Sequence, residues 1–423
     1  MFINRRRKIL LKQLIYHIAN LIINRSNMKK ITLQFISAFA ILFLLSSQVF
    51  SQSGYTFTDV KRLSATPVKD QYRSGTCWSF SGISFFESEL LRTGKGEYDL
   101  SEMFAVRVCY SDKAQKYVRM NGTLNFGGGG GFNDVTMTLG KYGIVPEEAY
   151  PGLNYGKEKH VHGESDAVFK AYVDAVVKNP NRELSTAWFP GFQGILDAYF
   201  GKLPETFLFK GKTYSPQSFE VELGLDMNDY VMLSSFSHHE FYKPFILEVP
   251  DNWGWGEVYN VKIDELTQII DNAIENGFTV AWACDVSDKG FSWKNGLAVV
   301  PSEDIADLDG LEKSKWEGLG PKEKNDVFYD FSKIRKEKTI TQELRQQSFD
   351  NLLTTDDHGM HITGTATDQN GTKYYIVKNS WNVDGNSYKG YLYASAAFVK
   401  YKTTSLLVNK ASIPKEIRKK LGV

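Results

Sequence analysis

The segment Gln71-Tyr72-Arg73-Ser74-Gly75-Thr76-Cys77-Trp78 holds the residue types best suited to covalent chemistry. After Cys77, Trp78, Gly82, Ile83, Phe86 and Leu90 recur mostly three and four residues apart, so the spacing predicts a helix with Cys77 in its first turn. Unpaired backbone N–H groups and the helix dipole favour a thiolate there, a nucleophile that still needs a base. A lone cysteine beside an apolar stripe is more commonly a small buried hydrophobe, so position alone does not decide its role. Histidines that could serve as base or ligand lie far downstream. His160 and His162 form His-x-His, His238-His239-Glu240 is compact, and His358 and His361 lie three apart with Asp356 and Asp357 adjacent. None of these sets has a third ligand at a zinc-type spacing, so no metal or other cofactor is expected. His160, His162 and His238 are expected at the surface or in loops. The run Gly127–Gly131 lacks the Gly-Lys-Ser/Thr of a phosphate cradle, so a nucleotide site is not expected.

The elements that must position these groups come from an ordinary globular composition. The chain has 423 residues, 50 Lys+Arg against 49 Asp+Glu, and 42% hydrophobic residues, enough for a large core. Three cysteines allow one bridge at most, which excludes a disulfide-stapled fold. Near-zero net charge argues against a nucleic-acid binder. That balance hides a distinct N-terminal segment: residues 1–51 hold eight Lys+Arg and no acid, leaving 42 basic and 49 acidic residues, a net charge of −7. From Met28 a short basic start, the apolar run Ile31–Leu45 and small residues before Gln52 read as a secretory signal peptide cut between Ser51 and Gln52. Residues 1–27 are expected to lie upstream of the translated start, and the mature protein is expected in a periplasm or outside the cell. The apolar run is short for a bilayer span and no later segment is long enough, so no stable membrane span is expected after cleavage.

Within the mature chain the helix from Cys77 should stop at Gly94, and FNDVTMTLGKYG should be a second helix closed by Gly143. Helical patterns follow at Asp166–Lys178, Leu266–Asn276 and Lys322–Lys336, mixed with a strand-like piece at Tyr242–Val249. His361–Thr367 and Tyr374–Lys378 alternate around Asn370-Gly371, a hairpin signal, and Gly390–Ala394 reads as another strand. The layout is α+β, a helix-rich N-terminal half and a sheet-rich C-terminal part with room for a cleft between them.

In Asp357-His358-Gly359-Met360, His358 follows Cys77 by 281 residues, and in Lys378-Asn379-Ser380-Trp381, Asn379 follows His358 by 21. With Gln71 six residues before Cys77, this order resembles the papain-like cysteine peptidases. The resemblance implies that His358 takes the thiol proton, Asn379 orients the imidazole, and the Gln71 amide joins the Cys77 backbone N–H in an oxyanion hole. Leu100-Ser101-Glu102, the glycine run, Gly143-Ile144-Val145-Pro146 and Tyr150-Pro151 extend the match. Gly128 and Gly129 then line the substrate cleft, and Trp381, grouped with them, shields the His358–Asn379 bond from water. The long Cys–His separation fits the bleomycin hydrolase and aminopeptidase C branch. So do Tyr242-Lys243-Pro244-Phe245, Val249-Pro250-Asp251-Asn252-Trp253 and Ala283-Cys284-Asp285-Val286. The implied fold is two-lobed, helical then sheet-rich, over 52–423, with a large mostly helical insertion at about 155–350.

Some features depart from that pattern. Ser74 replaces a bridging cysteine of the short secreted enzymes, so Cys109 and Cys284 read as structural thiols, with a bridge between them left open. The roughly 18 residues between Gln52 and Gln71 are too few for an inhibitory pro-domain. The branch's C-terminal arm, whose carboxylate holds a substrate amine, is expected to be missing after Val423. Peptide substrates and aminopeptidase action are the family expectation, and a homo-oligomer is left open. The alternatives are an open-cleft endopeptidase or oligopeptidase, a Cys–His acyltransferase, and an inactive peptidase-fold binding module.

Overall fold

The structure is a computed structural model that describes residues 54–423; the expected export signal lies outside them. The strands are β1 (Phe57–Arg62), β2 (Phe207–Phe209), β3 (Lys212–Tyr214), β4 (Tyr230–Ser234), β5 (Pro244–Ile246), β6 (Glu257–Asn260), β7 (Val280–Cys284), β8 (Phe291–Ser292), β9 (Leu297–Ala298), β10 (His358–Asp368), β11 (Lys373–Lys378), β12 (Tyr391–Ser395) and β13 (Thr403–Asn409). The helices are α1 (Cys77–Arg92), α2 (Glu102–Arg119), α3 (Phe132–Tyr142), α4 (Gly163–Val177), α5 (Trp188–Phe200), α6 (Pro216–Leu223), α7 (Ile263–Glu275), α8 (Gly310–Lys315), α9 (Pro321–Phe328), α10 (Gln342–Asp350), α11 (Ala396–Lys402) and α12 (Lys415–Leu421). No helix among the described residues is long and apolar enough to cross a membrane.

One sheet runs in the order β5-β6-β4-β13-β7-β10-β11-β12-β9-β8, with β1 also paired to β10, while β2 and β3 form a separate hairpin. β10 is its organising strand. Met360 and Ile362 point into an apolar cluster with Leu266, Ile270, Trp282 and Leu406, under α7 and α11. The β10–β11 hairpin turns where Asn370-Gly371 was expected to turn it. Gly371 takes φ +81, and the Asp368 carboxylate accepts the Asn370 and Thr372 backbone N–H groups. The helical half has its own core, in which Ile83, Phe86 and Leu90 of α1 meet Phe104 and Val108 of α2 and Val135 of α3.

α1 joins the two parts because its first turns lie directly on β10. A side chain at Gly359 would meet Ser81 Oγ at 2.7 Å, the Trp78 Cα at 3.3 Å and the Cys77 carbonyl at 3.4 Å, so the approach needs a residue without Cβ. Behind that contact Ser84 of α1 accepts a hydrogen bond from Lys378 of β11 (2.7 Å) and bonds His361 Nδ1 (3.0 Å), fixing helix against sheet.

The α+β reading agrees with this architecture, and two details differ from expectation. The 155–350 region, rich in helices, also supplies β4 to β9 to the main sheet, and β7 pairs with β10, setting Cys284 opposite His358. α9 stops at Phe328 because Asp330 captures the Ser332 backbone N–H (3.0 Å) in a turn and Arg335 swings to Glu312. Of Tyr242–Val249 only Pro244–Ile246 is a strand, with Tyr242 and Lys243 still bonded to the Asn260 backbone, and the chain bends back at Val249 onto Leu247. Cys109 and Cys284 are buried and free, in separate apolar clusters, so no bridge joins them.

Candidate active site

Cys77 is the first residue of α1, half-buried, and Thr76 makes no side-chain cap. No acidic residue occupies the first turn, so nothing there competes for the positive end of the helix. Burial is the largest cause pushing the Cys77 thiol up to about 12; Asp356 and Asp251 add to it, and the backbone N–H groups of Gly359 and Trp78 oppose it.

His358 opens β10, so its position follows from the Gly359 contact with α1. Its Nε2 lies 2.7 Å from Asn379 Oδ1. The same oxygen accepts the Ser380 backbone N–H (2.8 Å), which fixes the amide orientation, because only the carbonyl end can receive a backbone N–H. His358 Nε2 must therefore carry the proton and donate, which leaves Nδ1 bare and basic. Burial holds His358 down at about 4, partly offset by the Asn379 hydrogen bond. The Trp381 ring lies over the imidazole at a centroid distance of 4.6 Å, with Phe291 and Trp293 against its edges.

Gln71 is clamped between two loops. Its backbone N–H donates to the Ser380 carbonyl (2.9 Å), its Oε1 accepts the Ser380 hydroxyl (2.6 Å), and its Nε2 donates to the Ser74 carbonyl (2.8 Å). Ser74, where a bridging cysteine was considered, instead donates its hydroxyl to the Gln71 carbonyl (2.8 Å). The glycine run is tied to α1 by Trp78 Nε1, which donates to the Gly128 carbonyl (2.9 Å), and Gly128 packs on Gly75. The Gly129 carbonyl accepts from Lys113 (2.5 Å), and the carboxylate of Asp251 lies against the Gly129 Cα.

Other histidines fall differently. His160 and His162 are buried rather than at the surface, because His160 packs edge-on to Phe80 and His162 against Phe200. They still serve the site: the His160 carbonyl and the His162 N–H pair with the Arg73 backbone, bracing the Gln71–Ser74 loop. His238 and His239 converge on Glu248, not Glu240, at 2.7 and 3.3 Å. Gln346 Oε1 accepts the Ser237 backbone N–H, so its NH2 donates to His238 Nδ1 (2.8 Å). A metal-bound imidazole donates from its free nitrogen, and here that nitrogen faces a donor, which sets His238 against metal ligation.

Residues 56–187 match the family model described as papain family cysteine protease. Aminopeptidase C of Lactococcus lactis subsp. cremoris is 24% identical over 399 residues, covering 84% of this chain and 83% of its own. Bleomycin hydrolase of Mus musculus is 23% identical over 417 residues, covering 86% and 84%. These matches support a papain-like cysteine peptidase of the aminopeptidase C and bleomycin hydrolase branch, and the chain is a cysteine-type peptidase. Among solved structures, PepW from Lactobacillus rhamnosis HN001 shares the fold at a TM-score of 0.65, with 17% identity and 91% of each chain covered.

Sequence reasoning missed the support behind this papain-family site. Lys378 directly precedes Asn379 and was the available signal; its ammonium is buried against Ser84 and Thr66, and burial lowers it to about 8. Thr66 in turn donates to Glu87 (2.5 Å), which with Glu102 and Asp99 surrounds Lys69. His361, considered as a metal ligand, belongs to this network through Ser84. Asp251, whose carboxylate lies against Gly129, was visible only as a residue type within a recognised motif.

Proposed function

We propose that this thiol peptidase acts through Cys77, His358, Asn379 and Gln71, and that it removes residues from the free N-terminus of peptides. The observation that carries the reading is the Asn379-held tautomer of His358, whose bare Nδ1 is suited to take the Cys77 proton. Desolvation disfavours the charged form of each group, so each is neutral alone; moving the proton from sulfur to imidazole creates the two charges together, and their attraction offsets the lost hydration. Sulfur attacks the scissile carbonyl, the C–N bond breaks as His358 returns the proton to the leaving amine, and water activated by His358 cleaves the thioester. The Gln71 amide has one N–H left after its bond to Ser74, and with the Cys77 backbone N–H it is suited to hold the oxyanion. Trp381 keeps water from the His358–Asn379 bond. Gly128 and Gly129 offer backbone beside the bound peptide.

Aminopeptidase action is supported by the relatives named aminopeptidase C. One peptide series with free and acetylated N-termini tests it: faster cleavage of the free series is expected, and equal rates would make the chain an endopeptidase or oligopeptidase. Export is supported by the basic start and apolar run from Met28. N-terminal sequencing of the protein from its native host should find Gln52; a chain retaining residues 28–51 would overturn it.

A further inference from the structure

The loop that brings Asp251 to the glycine run continues into a second concavity. Between α2, α3 and the Trp253–Gly256 turn an open groove encloses about 800 Å³, a size that suits a bound ligand. Asp134 joins this groove to the glycine run: its carboxylate accepts the Gly131 backbone N–H (2.8 Å) and Trp253 Nε1 on the turn (3.0 Å).

The groove presents an exposed indole beside positive charge. Trp255 is 48% exposed and held at φ +59, a left-handed conformation that a bulky residue rarely adopts. The Lys116 ammonium stands 3.6 Å from the centroid of its ring. Arg119 reaches only Gln115 Oε1 (3.3 Å), and neither cation forms an ion pair among the described residues. The acids lining the groove are engaged elsewhere. Asp112 accepts the Tyr142 hydroxyl (2.7 Å) and Lys141 (3.4 Å), and Asp134 is buried with the two bonds just given. The Asn133 side-chain amide, also in the lining, bonds no protein group among the described residues. Its Nδ2 lies 2.5 Å from where a Gly256 Cβ would stand, so the turn closes on it only because position 256 has no side chain.

Cations without acids attract carboxylates, an exposed indole packs on flat or apolar groups, and a carboxamide pairs with a peptide group through one N–H and one carbonyl. A stretch of polypeptide bearing Asp or Glu meets all three demands, whereas a free inorganic anion meets only the first. We propose that this groove is a second peptide-binding site, which holds a carboxylate-bearing stretch of a polypeptide while another part of that chain reaches Cys77. That the held chain is a substrate rests on the peptidase reading; that it binds does not.

Two measurements on the full chain test this, with thermal unfolding to check that each variant folds. In the first, Cys77→Ala keeps the peptide intact, and a Glu-Ala repeat peptide carrying a neutral dye is compared with its Gln-Ala counterpart by fluorescence anisotropy. The Glu peptide should bind at least about fivefold tighter, and that preference should fall below about twofold in Lys116→Gln/Arg119→Gln. Trp255→Ala should weaken the Glu peptide by about threefold or more. Equal affinities, a preference that survives the double variant, or no change in Trp255→Ala overturns the site. Tighter binding of a thymidine oligonucleotide of equal charge also overturns it, since the groove would then be reading charge alone. In the second, kinetics are measured with Cys77 present on peptides that carry a Glu or a Gln stretch away from the scissile bond. The Glu series should show a lower KM at the same kcat, and the double variant should remove the difference; equal KM values overturn the recruitment of substrate. A chain that binds the Glu peptide through these residues yet cleaves no peptide overturns the peptidase reading and leaves the groove standing. Cleavage with no Glu preference in either measurement overturns the groove and leaves the peptidase reading standing.

Discussion

Replacing Asn379 with Ala isolates the tautomer argument. The Ser380 N–H turns the amide so that Oδ1 receives the His358 Nε2–H at 2.7 Å, in a place where both residues are buried. The lost bond is one to a ring that carries positive charge after proton transfer, and such bonds contribute about 1.5–3 kcal/mol. At about 1.36 kcal/mol per decade this is a fall in kcat/KM of roughly ten- to 150-fold. Trp381 still covers the ring, so the loss stays below that of Cys77→Ala, which removes the proposed nucleophile. The bond favours the protonated ring, so its removal lowers the His358 pKa further below its present value of about 4. The assay is kcat/KM on a fluorogenic peptide from about pH 4 to about pH 9, with thermal unfolding as the check on folding. A change under about twofold, a loss equal to that of Cys77→Ala, or an acid limb moved to higher pH would each refute the reasoning.

Three further outcomes follow from the packing. Gly359→Ala places a methyl 2.7 Å from Ser81 Oγ and should cost about 1–3 kcal/mol in denaturant unfolding and lower kcat, with Ser81→Ala recovering part of both. Arg345 is buried without a carboxylate, its guanidinium donating to the carbonyls of Ser235, Lys400, Tyr401 and Thr403. Arg345→Ala should therefore destabilise by on the order of 3 kcal/mol in the same assay, and Arg345→Lys should recover only part. His162 is fully buried with neither ring nitrogen hydrogen-bonded, and burial lowers it from 6.5 to about 3. The unfolded chain takes up this proton as pH falls below 6.5 and the folded chain does not until about 3, so stability is lost over that window. His162→Phe removes this term and should gain about 2 kcal/mol at about pH 5 relative to about pH 8, measured by denaturant unfolding at both.

The residues carrying local signals were legible in the sequence. The three- and four-residue spacing after Cys77 marked α1, the Asn370-Gly371 pair marked the β10–β11 hairpin, and Gly143 marked the end of α3. Short motifs also drew together Gln71, Cys77, His358 and Asn379 as candidates, and in the structure His358 bonds Asn379 and Gln71 bonds Ser380. What stayed hidden depends on contacts between distant segments. Nothing local says that β7, from the middle of the chain, lies beside β10, or that Asp251 crosses to Gly129. His160 and His162 lie in a loop as read, but not at the surface, because Phe80 and Phe200, remote in sequence, bury them. Lys378 and His361 could not be joined to Ser84 without knowing that α1 lies on the sheet.

The most direct measurement is alkylation of the purified protein with iodoacetamide, following residual peptide hydrolysis and mapping the modified cysteine by mass spectrometry. Cys109 and Cys284 are buried and Cys77 is half-buried, so label should appear on Cys77 alone, with hydrolysis falling in proportion to its occupancy. Peptide hydrolysis that persists when Cys77 is fully carbamidomethylated would contradict the account.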